Sequence, residues 1–109
     1  GRRGTMTRVM TATALKNVYP HIAKNRDVCS GRACVAGTRV RVMDIVALHK
    51  AGVSPDDIVR EFPSLQSAID VYAALVYFAD HRDEIESDFE EDRRLADESE
   101  RRRLERPGQ

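Results

Sequence analysis

Apolar and polar positions follow two rhythms in this chain, and the change of rhythm divides it. From Ala68 to Ala79 the helical rhythm dominates: Ala68, Val71, Leu75 and Phe78 recur at three-and-four spacing, while Ile69, Ala73 and Val76 fill a second face. Asp70 is the one charge in this run. A helix apolar on two faces needs cover on both. A small domain supplies one side, so the other is expected to meet a second copy of the chain or another protein, with Ile69, Tyr72, Ala73, Val76 and Tyr77 as the dimer-interface candidates.

Two shorter helices precede it. Val42, Ile45, Val46, Leu48 and a neutral His49 form a stripe that runs to Ala51 and stops at Gly52, a residue suited to the position just past a helix end. Ser54, Pro55, Asp56 and Asp57 supply an N-cap, a proline at the first helical position and an acidic first turn. Ile58, Val59 and Phe62 follow on one face before Pro63 ends the segment. Ser67-x-x-Asp70 has the residue types of a capping box, and Leu65 is placed to pack on the first turn of the long apolar helix.

Upstream the rhythm shortens to two. His21-Ile22-Ala23-Lys24, the turn residues Asn25-Arg26-Asp27, and a second extended piece from Cys34 through Gly37 to Val42 read as an irregular β-hairpin. Strict alternation from Thr38 puts Thr38, Val40 and Val42 on one face and Arg39 and Arg41 together on the other. Gly31 and Gly37 are the expected positions of positive φ. Downstream, Asp80 to Glu84 reads as a further cap, and Ile85, Phe89, Arg93 and Ala96 give a thin stripe on a charged helix. Beyond Ser99 the chain is expected to fray, because it has too little apolar surface to bury. The fold class that follows is mainly α: an N-terminal β-hairpin, three helices of which the second and third form a helix-turn-helix, and a charged C-terminal helix. The divisions are 1–19, a tag remnant ahead of Met6 and an N-terminal arm; 20–80, the hairpin and helix-turn-helix; and 81–109, the acidic helix and Arg-rich tail.

Charge adds a gradient to this picture. The chain is neutral overall, yet residues 1–41 hold nine Lys or Arg against the single acid Asp27, and residues 80–100 hold eleven acids against three Arg. Such segregation means either solubility or an internal electrostatic contact, or a basic face for a polyanion beside an acidic segment for another partner. No apolar run spans a bilayer and no signal peptide is recognisable, so a cytoplasmic protein is expected.

The residues Cys29-Ser30-Gly31-Arg32-Ala33-Cys34-Val35-Ala36-Gly37-Thr38-Arg39, then Ala51-Gly52-Val53-Ser54-Pro55-Asp56-Asp57-Ile58, then Phe62-Pro63-Ser64-Leu65, resemble the bacterial domain-of-unknown-function family 433. Ala33 and Arg41 stand where that family commonly has prolines. The resemblance implies a homeodomain-like helix-turn-helix behind a β-hairpin. It also implies an antitoxin-like role: neutralising a cognate PIN-domain ribonuclease toxin and binding the protein's own promoter DNA.

The candidate DNA-binding residues are Lys24, Arg26, Arg32, Arg39 and Arg41 on the hairpin, with Gln66 and Ser67 at the start of the third helix. Within this set Arg39 is expected to serve the fold, against a carboxylate of its own domain, and Arg41 to face phosphate. No Lys or Arg lies between Glu61 and Asp80, so the third helix has no residue to address guanine. Candidate toxin contacts are Ile85, Phe89, Arg101, Arg102, Arg103 and Arg106, the guanidinium groups being suited to the carboxylates around a nuclease metal. Cys29 and Cys34 have too few companions for a zinc site and are expected as reduced thiols. No metal, no cofactor and no catalytic residue is expected. The alternative reading is a dimeric protein-interaction scaffold that never meets DNA.

Overall fold

The computed structural model describes residues 18–105, so the tag remnant, nearly all of the N-terminal arm and Arg106 lie outside the described residues. The first element among the described residues is a two-stranded antiparallel sheet, β1 (Ile22–Ala23) and β2 (Cys34–Val35), in which Ile22 faces Val35 and Ala23 faces Cys34. A short 3-10 turn, Cys29–Gly31, separates the strands, with φ positive at Cys29, Ser30 and Gly31. Four helices follow: α1 (Val42–Lys50), α2 (Pro55–Glu61), α3 (Ala68–Asp80) and α4 (Arg82–Leu104). The chain is therefore mainly helical behind an N-terminal hairpin, as its periodicity predicts.

The helix ends follow from the residues expected there. Ser54 Oγ accepts from the Asp57 N–H (3.3 Å) with Pro55 at the first helical position of α2. Ser67 caps α3 by accepting from Ile69 N–H (3.2 Å). Asp70 departs from a capping box: its carboxylate accepts from Gln66 N–H (3.0 Å), one residue earlier than the motif requires. Asp70 is the one buried charged residue among those described, and this amide bond with His21 Nδ1 at 3.7 Å accounts for its tolerance there.

The core lies where α3 crosses α1, α2, the hairpin and the start of α4. Ile45, Val46 and Val42 of α1, Ile58 of α2, Val71, Ala74 and Tyr77 of α3 and Ile85 of α4 are completely or almost completely enclosed, with Ile22 and Val35 closing the hairpin side. Met43 joins them, whereas His49, read as part of the α1 stripe, is exposed. Its ring stays in water because a helix stripe of Val42, Ile45 and Val46 already fills the groove against α3.

Two further expectations are corrected. The segment Cys34–Val42 is not one extended strand. It turns back on itself at Gly37 (φ +80°), so Val35 N–H bonds Val40 O (2.8 Å) and Val42 N–H bonds Ala33 O (2.8 Å). Thr38 locks the reversal, its Oγ1 donating to Val35 O (2.9 Å) and accepting from Val40 N–H (3.0 Å). Alternation is shared by a strand and by a tight turn between two extended pairs, which is why the pattern misled. The second correction concerns the C-terminus: α4 continues past Ser99 to Leu104 as one helix of 23 residues. Arg94 pairs with Glu91 and Glu98, Arg103 pairs with Glu100, and Arg101 to Arg103 sit in the last turn, where cations favour the helix dipole.

Candidate functional site

Two surfaces stand out, and the first is the seam between the hairpin and α4. Glu84, Asp88 and Asp92 recur every four residues and so line one edge of α4. Lys24 Nζ lies 3.0 Å from Glu84, Arg32 Nε 3.8 Å from Asp88, and Arg32 Nη1 2.6 Å from Asp92. Arg41 Nη1 reaches the other Asp92 oxygen at 3.6 Å. On the far side of Phe89, Lys50 pairs with Glu86 (2.9 Å) while its ammonium stands 5.2 Å from the Phe89 ring centre. The charge gradient of the sequence thus closes on itself, basic hairpin against acidic helix.

Arg41 is held twice. As the residue preceding α1 it places its backbone N–H on Asp44 Oδ2 (3.1 Å), and its guanidinium clasps the same carboxylate through Nε (3.0 Å) and Nη2 (2.8 Å). Arg39 is different. It is exposed and forms no ion pair among the described residues, its main-chain carbonyl accepting from Cys29 Sγ (3.3 Å). The roles expected of these two arginines are therefore exchanged: Arg41 serves the fold and Arg39 keeps a free guanidinium. The turn at Gly37 explains the exchange, because it sets Arg41 against α1 and α4 and leaves Arg39 at the rim.

Arg32, Arg39 and Arg41 share an open cleft of about 540 Å³ with Asp92, Glu91 and Leu95. Arg26 is exposed elsewhere on the hairpin without an ion pair among the described residues, and Gln66 is exposed while Ser67 is occupied as a cap. Burial pushes the Asp88 carboxyl above its ordinary range, with Arg32 working in the opposite direction. A shallow hollow of about 670 Å³ on the other side of the hairpin is lined by Cys34, Arg39 and small residues, with no carboxylate or imidazole among them. Burial, reinforced by Cys29, pushes the Cys34 thiol up to about 11, and both cysteines are free thiols. Among the described residues no group of three or more His, Cys, Asp or Glu side chains is placed to hold a metal ion.

The second surface is the outer face of α3. Ile69, Tyr72 and Val76 are 60%, 56% and 54% exposed, so the apolar stripe read from the sequence is left open, with Ala73 half-buried at its edge. Tyr77 does not belong to it. It is buried, donates Oη to Glu84 (2.9 Å) and stacks on His81 with ring centres 4.2 Å apart, because one further helical step turns position 77 toward α4. Ile85 is likewise a core residue and Phe89 is half-buried under Lys50, so neither is presented as the toxin contact expected of it. Arg101, Arg102 and Arg103 are exposed on the last turns of α4, and Leu95 and Leu104 are exposed apolar residues that sequence reasoning passed over. Asp88 and Asp92 were also missed as partners of the hairpin, although their spacing of four from Glu84 was visible.

The family model described as "Protein of unknown function (DUF433)" matches residues 22–78, more than half of the chain. The chain belongs to the DUF433 family. A crystal structure of a DUF433 member protein from Anabaena variabilis shares its fold, with a TM-score of 0.58 and 23% identity over 81% of this chain and 96% of that one. No curated protein matches. The matched range takes in β1 through the last turn of α3, so the α3 stripe and the hairpin arginines fall in the DUF433 region and the whole acidic edge of α4 falls outside it. No helix among the described residues is long and apolar enough to cross a membrane.

Proposed function

We propose that this DUF433 protein is a binding module without chemistry of its own, an antitoxin-like cytoplasmic homodimer that docks and silences a cognate PIN-domain ribonuclease. The observation supporting this reading is the stripe of Ile69, Tyr72 and Val76, three large apolar side chains left in water beside a core that is already filled. Contiguous exposed apolar residues of this kind favour burial in a protein interface, and a two-fold axis through one helix lets the stripe cover its own copy. The outer part of α4 then supplies the toxin contact. Leu95 and Leu104 offer apolar anchors, and Arg101 and Arg102 offer guanidinium groups for a carboxylate-lined nuclease site.

Promoter binding in this reading falls to Arg26 and Arg39, the hairpin cations without acidic partners among the described residues. The pairing of Lys24, Arg32 and Arg41 with α4 favours a second reading, a dimeric scaffold that binds protein and not DNA.

Co-expression with the neighbouring open reading frame tests the main reading. The expected result is a stable complex in which ribonuclease activity is absent, and in which removal of residues 93–109 restores it while buried Ile85 keeps the rest of α4 in place. A neighbouring gene that encodes no nuclease, or a complex whose activity is unchanged by the truncation, overturns the toxin contact. Salt-dependent binding to promoter DNA separates promoter recognition from the scaffold reading.

A further inference from the structure

We propose that the Asp88–Asp92 stretch of α4 is a charge clasp laid over a phosphate-binding surface of the hairpin, so that nucleic acid engages Arg32 only when the clasp opens. The inference rests on promoter binding by the hairpin and adds what controls it. Its geometry is that of a built-in anion. One carboxylate, Asp92, is gripped from both sides, Oδ1 by Arg32 Nη1 at 2.6 Å and Oδ2 by Arg41 Nη1 at 3.6 Å, with Asp88 standing behind at 3.8 Å from Arg32 Nε; Arg41 is also clasped by Asp44, so Arg32 is the cation whose acidic partners all lie on α4. Two oxygens bridging two guanidinium groups is also how a phosphate is held by arginines.

The clasp is made to release. Apolar anchorage of α4 ends at Ile85 and half-buried Phe89; past that point Leu95 and Leu104 are exposed and no residue of α4 is buried. What holds the next turn to the hairpin is the Asp92 pairing, and the Asp92 side chain is 39% exposed, so water and salt weaken the contact. Arg39 lines the same cleft with no acidic partner among the described residues. It gives an approaching phosphate backbone a foothold beside the masked Arg32, from which a neighbouring phosphate can replace the carboxylate.

The test compares the full chain with its Asp88→Asn/Asp92→Asn variant by fluorescence anisotropy against a short DNA duplex across a salt series. A control variant, Asp56→Asn/Asp97→Asn, changes the net charge equally, and neither of its residues pairs with a cation among the described residues. The clasp variant is expected to bind about tenfold more tightly at low salt, with a salt slope steeper by about one, close to 0.9 for the released Arg32, because Arg41 keeps its pair with Asp44. Adding Arg32→Ala should remove most of the gain, and the control should show little of it. Single Asp92→Asn, at a half-exposed position, should keep the far-ultraviolet circular dichroism of the parent and part of the gain, which guards against misfolding of the double variant. A gain equal to the control's, or one that survives Arg32→Ala, overturns the proposal. So does a variant that gains affinity for an acidic peptide and none for the duplex. If the parent binds the duplex through Arg39 and neutralisation adds nothing, the clasp fails while promoter binding stands; if no variant binds, both fall.

Discussion

Tyr77 donates its phenol to Glu84 across 2.9 Å, and Lys24 takes the other oxygen of the same carboxylate at 3.0 Å. Three elements meet at this point: α3 brings the tyrosine, α4 the acid and the hairpin the lysine. Tyr77→Phe removes one hydrogen bond while keeping the ring and its stack on His81. The expected loss is about 1 kcal/mol in urea unfolding. Burial, and then the bond to Glu84, raise the Tyr77 phenol above its ordinary value of 10.0, so the protonated form belongs to the folded state. Stability from this group is therefore full below pH 10 and is lost as pH rises beyond it, and Tyr77→Phe should flatten that alkaline fall.

Asp88 carries the opposite lesson about ion pairs. Its carboxyl is raised by burial despite Arg32, which means the neutral form favours folding and ionisation works against it. By linkage this contribution is complete below the ordinary value of 3.8 and fades as pH climbs through the raised folded value. Asp88→Asn is expected to be at least as stable as the parent at pH 7, with the difference closing near pH 3. Denaturant midpoints at the two pH values decide it.

Ile85 and Leu95 lie ten positions apart on α4 and should respond very differently. Ile85 is fully enclosed, so Ile85→Ala leaves a cavity and should cost about 2–5 kcal/mol. Leu95 is 46% exposed, and Leu95→Ala should stay within about 0.5 kcal/mol. Thermal or urea unfolding of the two variants measures how far along α4 the fold's apolar anchorage extends.

Val76→Asp addresses the open face of α3. The side chain is 54% exposed, so folding stability should change by about 0.5 kcal/mol or less. Self-association should weaken sharply, because a charge at the centre of a two-fold contact meets its own copy. Sedimentation at several dilutions gives the answer: a parent chain that stays single at every concentration overturns the dimer.

The helices were legible because each rested on two independent signals. Residues at the three-and-four spacing marked α3 from Ala68, and Ser67 marked its start; Ser54 with Pro55 marked α2. The return leg Thr38–Val42 had a single signal, alternation, and its meaning turned on whether Gly37 reversed the chain. That reversal depends on hydrogen bonds from Thr38 to both sides of the turn, which sequence spacing does not display. The open face of α3 could be read, since Ile69 and Val76 had no evident partner. Tyr77 could not be separated from it, because a residue at the border of two faces is assigned by the neighbour it meets, here Glu84 of α4. The exchange of roles between Arg39 and Arg41 follows from the same turn: past Gly37 it is Arg41 that reaches Asp44 of α1 and Asp92 of α4, and alternation alone does not tell which of the two guanidinium groups meets an acid.

The seam also bears on how the protein is made. Lys24, Arg32 and Arg41 leave the ribosome before Glu84, Asp88 and Asp92 exist, because synthesis runs from the N-terminus. Throughout that interval the nascent chain is a polycation emerging beside ribosomal RNA, and its neutrality arrives only with the final third. Codon changes that slow translation between positions 42 and 84 should lengthen this exposed stage without altering the finished molecule.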